Sequence, residues 1–86
     1  MASYENKQAR ETLIKLAVKS VLNATVDHYT KSGTQLSYDE YWKKHLSLTG
    51  VKSIDSHVQS LVSDFVDDGL TAVDTIASKV KRALGI

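Results

Sequence analysis

The sequence contains no cysteine and no proline, and only four of its 86 residues are glycine. A chain without cysteine has no disulfide scaffold, no thiol nucleophile and no thiolate metal site. Its apolar stretches, such as residues 16–18, fall far short of the roughly 18 consecutive apolar residues that span a membrane. Residues 1–7 are polar and lack the apolar region of a secretory signal, so we expect a cytoplasmic location.

An excess of charge of one sign is also missing, because the chain has eleven basic and ten acidic side chains and a formal charge of +1. This balance is not typical of a nucleic-acid binder. The composition, 42% hydrophobic and 24% charged, is that of an ordinary folded chain. Its length leaves room for one core, so we predict a single helical domain over residues 1–86.

Apolar residues recur with the period of a helix along the whole chain, and runs with the alternating pattern of a strand are absent. In the first segment the apolar side covers about half of the helix circumference, and Gly33 ends it. Ser37 and Glu40 form a capping box that begins the second helix. Ser53 or Asp55 begins the third. We predict an all-α bundle of three to four helices, at about 4–31, 38–48, 54–68 and 71–84.

Gly69 lies where two apolar seams meet, the second spaced 4-3-4-3-4 from Val66 to Leu84. The chain either bends there as one long helix or breaks, with Thr71 capping a fourth helix and Asp74 in its first turn. We predict that the core contains Leu13, Ala17, Val21, Trp42, Leu46, Val58, Leu61, Val62, Phe65, Val73, Ala77, Val80 and Leu84.

Catalytic chemistry is sparse in this sequence. The three histidines lie in three segments, without the helical spacing of a metal site, and phosphate-binding glycine motifs are missing. We therefore predict no enzymatic activity, no cofactor and no metal. A polar pocket joining His28, His45 and Asp64 would overturn that prediction.

Binding surfaces are the remaining source of function. Residues 38–44 hold three of the six aromatic side chains, and the last seam resembles a coiled-coil stripe. Charge is uneven too, since residues 51–70 hold four aspartates and one lysine. We predict a small interaction or structural protein, of a kind common among bacterial and viral accessory proteins, that binds another protein or forms a homo-oligomer. The predicted partner-binding residues are Tyr38, Tyr41, Trp42, Val66, Leu70, Val73, Val80 and Leu84.

The same seam has a second interpretation, because the first and last helices could cover each other and make it core. Val73, Val80 and Leu84 of this seam are therefore predicted both as core and as partner-binding residues. Trp42 is in both predictions as well.

Three resemblances give alternative functions. Residues 48–58 resemble the turn and recognition helix of helix-turn-helix repressors, which would bind DNA through Lys52, Ser53, Ser56, His57 and Gln59. Asp55-Ser56-His57 is similar to the Asp-Ser-Leu site of acyl carrier proteins, although those proteins are strongly acidic. Residues 69–85 resemble a cationic amphipathic peptide, which implies membrane-surface binding through the helix at 70–84.

Overall fold

The computed structural model describes residues 7–51 and 53–86, and these residues form four helices and no strand. The all-α prediction is confirmed over this part of the chain, and the predicted helical residues 4–6 lie outside it. The helices are α1 (Lys7–Ser32), α2 (Tyr38–Leu46), α3 (Ile54–Asp67) and α4 (Val73–Leu84).

The long first helix organises the bundle. Both α3 and α4 pack along α1 and against each other, while the short α2 touches α1 and α3. With 26 residues, α1 is about 39 Å long, roughly twice the length of either helix beside it. The molecule is accordingly elongated, 50 × 25 × 18 Å. Residues 7–12 of α1 are all exposed, and its first buried residue is Ala17.

The start of α2 follows the predicted capping box, with one difference. The Ser37 hydroxyl accepts a hydrogen bond from the Glu40 N–H at 3.3 Å. The Glu40 carboxylate then accepts from that hydroxyl at 2.9 Å, where we expected it to reach the Ser37 amide. Both contacts fix the first turn of α2, so the position of the cap is confirmed.

The end of α2 comes two residues earlier than predicted. Ser47, and not a glycine, takes the left-handed conformation with φ of +53°. Its N–H donates to the last turn, and the Leu48 N–H donates to the Lys43 carbonyl at 2.9 Å. These bonds close the helix at Leu46 before Gly50 is reached.

The chain breaks between α3 and α4. Ser53 caps α3 by accepting from the Ser56 N–H at 3.2 Å, and Gly69 follows the helix with φ of +92°. A separate α4 is therefore correct, but Thr71 does not cap it. The helix begins at Val73 behind Ala72, which has no side-chain capping bond.

Eight of the thirteen predicted core residues are buried, and the other five are half-buried against the core. The prediction omitted Ile54 and Ile76, which are 1% and 0% exposed. It also omitted Thr25, the one buried polar residue of the described chain. The buried apolar residues are Ala17, Val21, Trp42, Ile54, Val58, Val62, Ile76, Ala77, Val80 and Leu84.

Candidate binding surface

A cluster of rings joins α1 to α2. The Trp42 ring is fully buried, and its centroid lies 5.3 Å from that of His28 and 5.2 Å from that of His45. The ring of Tyr41 stacks on His45 at 21°, and Tyr29 meets Tyr41 edge-on. The predicted aromatic surface is therefore mostly an internal contact.

None of the surface of Trp42 is accessible in the folded chain, as predicted for a core residue, so it offers no surface to a partner in this conformation. Its Nε1 has no hydrogen-bond partner among the described residues. Tyr38 and Tyr41 remain half-buried and keep some accessible surface. His28 and His45 lie 5.4 Å apart, although they are far apart in the sequence. The rings around them are aromatic, and among the described residues no group of three or more His, Asp or Glu could hold a metal ion.

Tyr38 is tied to α1 through a buried hydroxyl. Thr25 Oγ1 donates to the Leu22 carbonyl at 2.8 Å, so its only proton is used. The Tyr38 O–H therefore donates to Thr25 Oγ1 in a short hydrogen bond. Burial raises the pKa of Tyr38 above its ordinary value of 10.0, and the hydrogen bond with Thr25 lowers it in part. The nearby carboxylates of Asp55 and Asp39 add to the rise.

The seam on the last two helices also points inward. Val80 and Leu84 have no exposed surface, which confirms their prediction as core residues. Val66, Leu70 and Val73 are half-buried and pack against the core. Because α4 lies along α1, the two helices cover each other's apolar sides. The alternative interpretation of this seam, as core, is the correct one for Val80 and Leu84.

The residues of the helix-turn-helix alternative lie around the start of α3. Lys52 lies outside the described residues. Ser53 is occupied as the helix cap, and its hydroxyl donates to that of Ser56 at 3.1 Å. Ser56 and Gln59 are exposed, and His57 is half-buried. Seven residues separate α2 from α3, compared with the usual turn of about three to four residues between the two helices of this motif.

A groove runs between α1 and α3. Its apolar floor is formed by Ile14, Val18 and Leu22, which are all half-buried. These residues repeat every four positions and so form one ridge of α1. The groove has a volume of about 490 Å³, and its polar rim consists of Lys15, Lys19, Asn23 and Gln59.

The rim of the groove is positively charged. Lys15 and Lys19 are both exposed, and no acidic residue lines the groove. The ion pair found within the described residues joins Lys31 to Asp27 at 3.0 Å. It lies further along α1, outside the groove. Neither rim lysine therefore forms an ion pair within the part of the chain that the structure describes.

The outer face of α1, opposite the core, contains the largest exposed apolar side chains. Leu16 is 52% exposed and Val26 is 51% exposed, and they are the exposed large hydrophobic residues of the described chain. They belong to a set of six residues spaced 4-3-4-3-4, all exposed, which we call the outer seam: Thr12, Leu16, Lys19, Asn23, Val26 and Thr30.

Neither the groove nor the outer seam was among the predicted sites. The sequence predicted an apolar side that covers about half of the first helix, and that pattern does not tell which part the other helices cover. The excess width of the apolar side was the available signal, because a helix with one neighbour needs a narrower stripe.

Comparison of the chain with protein-family models, with curated proteins and with solved structures finds no match. No helix among the described residues is long and apolar enough to cross a membrane.

Proposed function

We propose that this chain is a non-enzymatic helical module that binds another protein, and that the groove between α1 and α3 receives an amphipathic helix with acidic residues beside its apolar stripe. The groove carries the proposal. Its ridge of Ile14, Val18 and Leu22 offers apolar contact to the i, i+3, i+4 and i+7 side chains of such a helix.

The charge of the rim selects the partner. Lys15 and Lys19 border the apolar floor, and neither forms an ion pair within the described residues. Glutamates flanking the apolar stripe of a bound helix would meet these ammonium groups, whereas lysines there would be repelled. An acidic amphipathic helix is therefore favoured over a basic or neutral one.

DNA binding finds less support. Asp55, Asp64 and Asp67 are all exposed on α3, which contains no lysine or arginine. A recognition helix with this charge would be repelled by phosphates. Binding to a membrane surface through α4 is also disfavoured, since its apolar side chains Ile76, Val80 and Leu84 are in the core. Inserting them into lipid would require the bundle to open.

Two synthetic helical peptides test the proposal. Both carry leucines at i, i+3, i+4 and i+7, one flanked by glutamates and the other by lysines. We expect the acidic peptide to bind at least tenfold more tightly, and its nuclear magnetic resonance shifts to centre on Ile14, Val18 and Leu22. Equal affinity of the two peptides, or shifts centred elsewhere, would refute the proposal.

A charge-reversed variant sharpens this experiment. Lys15→Glu with Lys19→Glu should weaken binding of the acidic peptide at least tenfold and strengthen binding of the basic one. The matched control is Lys79→Glu with Arg82→Glu, which changes the net charge equally at exposed positions of α4. If the control weakens binding as much as the groove variant, the peptide senses net charge and not the groove.

A further inference from the structure

The outer seam borders the groove on α1 and shares Lys19 and Asn23 with its rim, and it also contains two large apolar side chains. Each helical residue turns the chain by about 100°, so residues spaced 4-3-4-3-4 stay on one side along the helix. That is the spacing of the contact line of a coiled coil. Leu16 and Val26 supply its apolar side chains, and both are about half exposed, at 52% and 51%.

The order of residues along the outer seam is matched to itself in reverse. Suppose that two copies of α1 run antiparallel and that the centre of the contact is level with position 21 along the helix. Position 16 of one copy then meets position 26 of the other, and 19 meets 23. Leu16 then packs on Val26 of the second copy, and this happens twice. Lys19 faces Asn23, whose side-chain oxygen can accept a hydrogen bond from the ammonium group. Thr12 faces Thr30 at each end.

The parallel arrangement would also pair apolar residues, Leu16 with Leu16 and Val26 with Val26, but it differs at the centre of the contact. With both helices running in the same direction, Lys19 would lie opposite Lys19 of the second copy in the middle of the contact, and the like charges would repel. The charge of Lys19 therefore favours the antiparallel register, in which Leu16 and Val26 are also paired. We infer that the outer seam is a self-association surface, through which a second copy of this chain packs antiparallel on α1.

The size of the contact predicts its strength. Residues 12–30 of α1 form a strip about 28 Å long and about 10 Å wide. Two such strips bury roughly 600 Å², about half of the 1,200 Å² at the lower end of stable interfaces. The contact is of the small, transient class, so we expect a weak and reversible dimer and not a permanent one.

Sedimentation equilibrium from 20 µM to 1 mM tests the association. The mass should rise from 9.5 kDa towards twice that value. Leu16→Glu and Val26→Glu should each reduce the association constant at least tenfold, because each places a carboxylate in both apolar layers. Ala83→Glu, at an exposed apolar position of α4, should not. A constant mass of 9.5 kDa, or equal loss in all three variants, would overturn the inference.

Chemical cross-linking tests the register. Because the chain has no cysteine, Leu16→Cys and Val26→Cys each introduce one thiol. In an equal mixture treated with a short bifunctional thiol reagent, the antiparallel register predicts that links between the two variants form faster than links within either variant. The mixture of either variant with Ala83→Cys, at an exposed position of α4, gives the rate of random collision. Faster linking of Leu16→Cys to itself would establish the parallel arrangement and refute the inference.

The two proposals fail separately. Leu16 and Val26 do not line the groove, so their glutamate variants should keep the affinity for the acidic peptide. A monomeric chain that still binds the peptide would leave the proposed function standing. A chain that forms the dimer but binds neither peptide would refute the proposed function and support the self-association.

Discussion

The hydrogen bond between Thr25 and Tyr38 gives the sharpest test of how α1 and α2 are held together. Thr25 has no exposed surface, and its hydroxyl binds the Leu22 carbonyl and the Tyr38 hydroxyl. Thr25→Val keeps the shape of the side chain and removes both bonds. The half-buried Tyr38 hydroxyl then loses its acceptor.

The magnitude follows from these two bonds. A net hydrogen bond contributes about 1 kcal/mol, and leaving a buried partner unpaired adds to the loss. Because water can reach part of Tyr38, we expect Thr25→Val to lower the free energy of unfolding by about 1–2 kcal/mol. In a domain of this length the Tm should fall by roughly 5–15 °C. Tyr38→Phe should cost less, since Thr25 keeps its bond to the Leu22 carbonyl.

Urea denaturation followed by circular dichroism measures these values. Thr12→Val is the matched control, because Thr12 is exposed on the same helix and its hydroxyl donates to the Gln8 carbonyl at 3.0 Å. We expect the control to change stability by less than about 0.5 kcal/mol. A double-mutant cycle of Thr25→Val and Tyr38→Phe should give a coupling of about 1 kcal/mol. Equal losses at Thr25 and Thr12, or no coupling, would refute the reasoning.

Three further predictions concern the ends and centre of the bundle. Ser47→Gly should raise the free energy of unfolding by about 0.5–1 kcal/mol in urea, because glycine takes a positive φ without the steric cost that serine bears; unchanged stability would contradict this. Tyr38 should ionise above pH 10 in ring-resolved magnetic resonance spectra, since its pKa is raised from 10.0. Stability should be unaffected by this group below pH 10 and should fall above it, because the unfolded chain releases that proton first; ionisation of Tyr38 at or below pH 10 would argue against its burial. Trp42→Ala should cost about 3–5 kcal/mol on thermal or urea unfolding, whereas Trp42→Phe should cost clearly less, because Nε1 has no hydrogen bond to lose.

Local signals in the sequence predicted most of the helix boundaries. The hydroxyls of Ser37 and Ser53 cap α2 and α3 as expected, because a cap needs only residues within one turn. The same reasoning failed at Thr71, since Ala72 precedes α4 without a side-chain bond. It failed at Ser47 because a non-glycine residue in the left-handed region carries no sequence signature.

The candidate surfaces were harder to predict because they depend on how helices dock. The sequence separates His28 and His45 by 17 positions, and only the packing of α2 on α1 brings their rings to 5.4 Å. The groove likewise requires Gln59 of α3 to lie beside α1. Periodicity shows that a residue is apolar and on a given side of its helix. Which helix covers that residue depends on contacts between residues that are far apart in the sequence.

The outer face of α1 shows why the remaining apolar residues need an explanation beyond folding. The helix is about twice as long as α3 or α4, and Ala17, Val21 and Thr25 already provide its buried side. Leu16 and Val26 are half exposed, so polar residues at these positions would cost the monomer little. Lys19, Asn23 and Thr30 are what such a face ordinarily carries. The two apolar side chains gain their full burial only against another helix, and the antiparallel register of a second copy buries both at once.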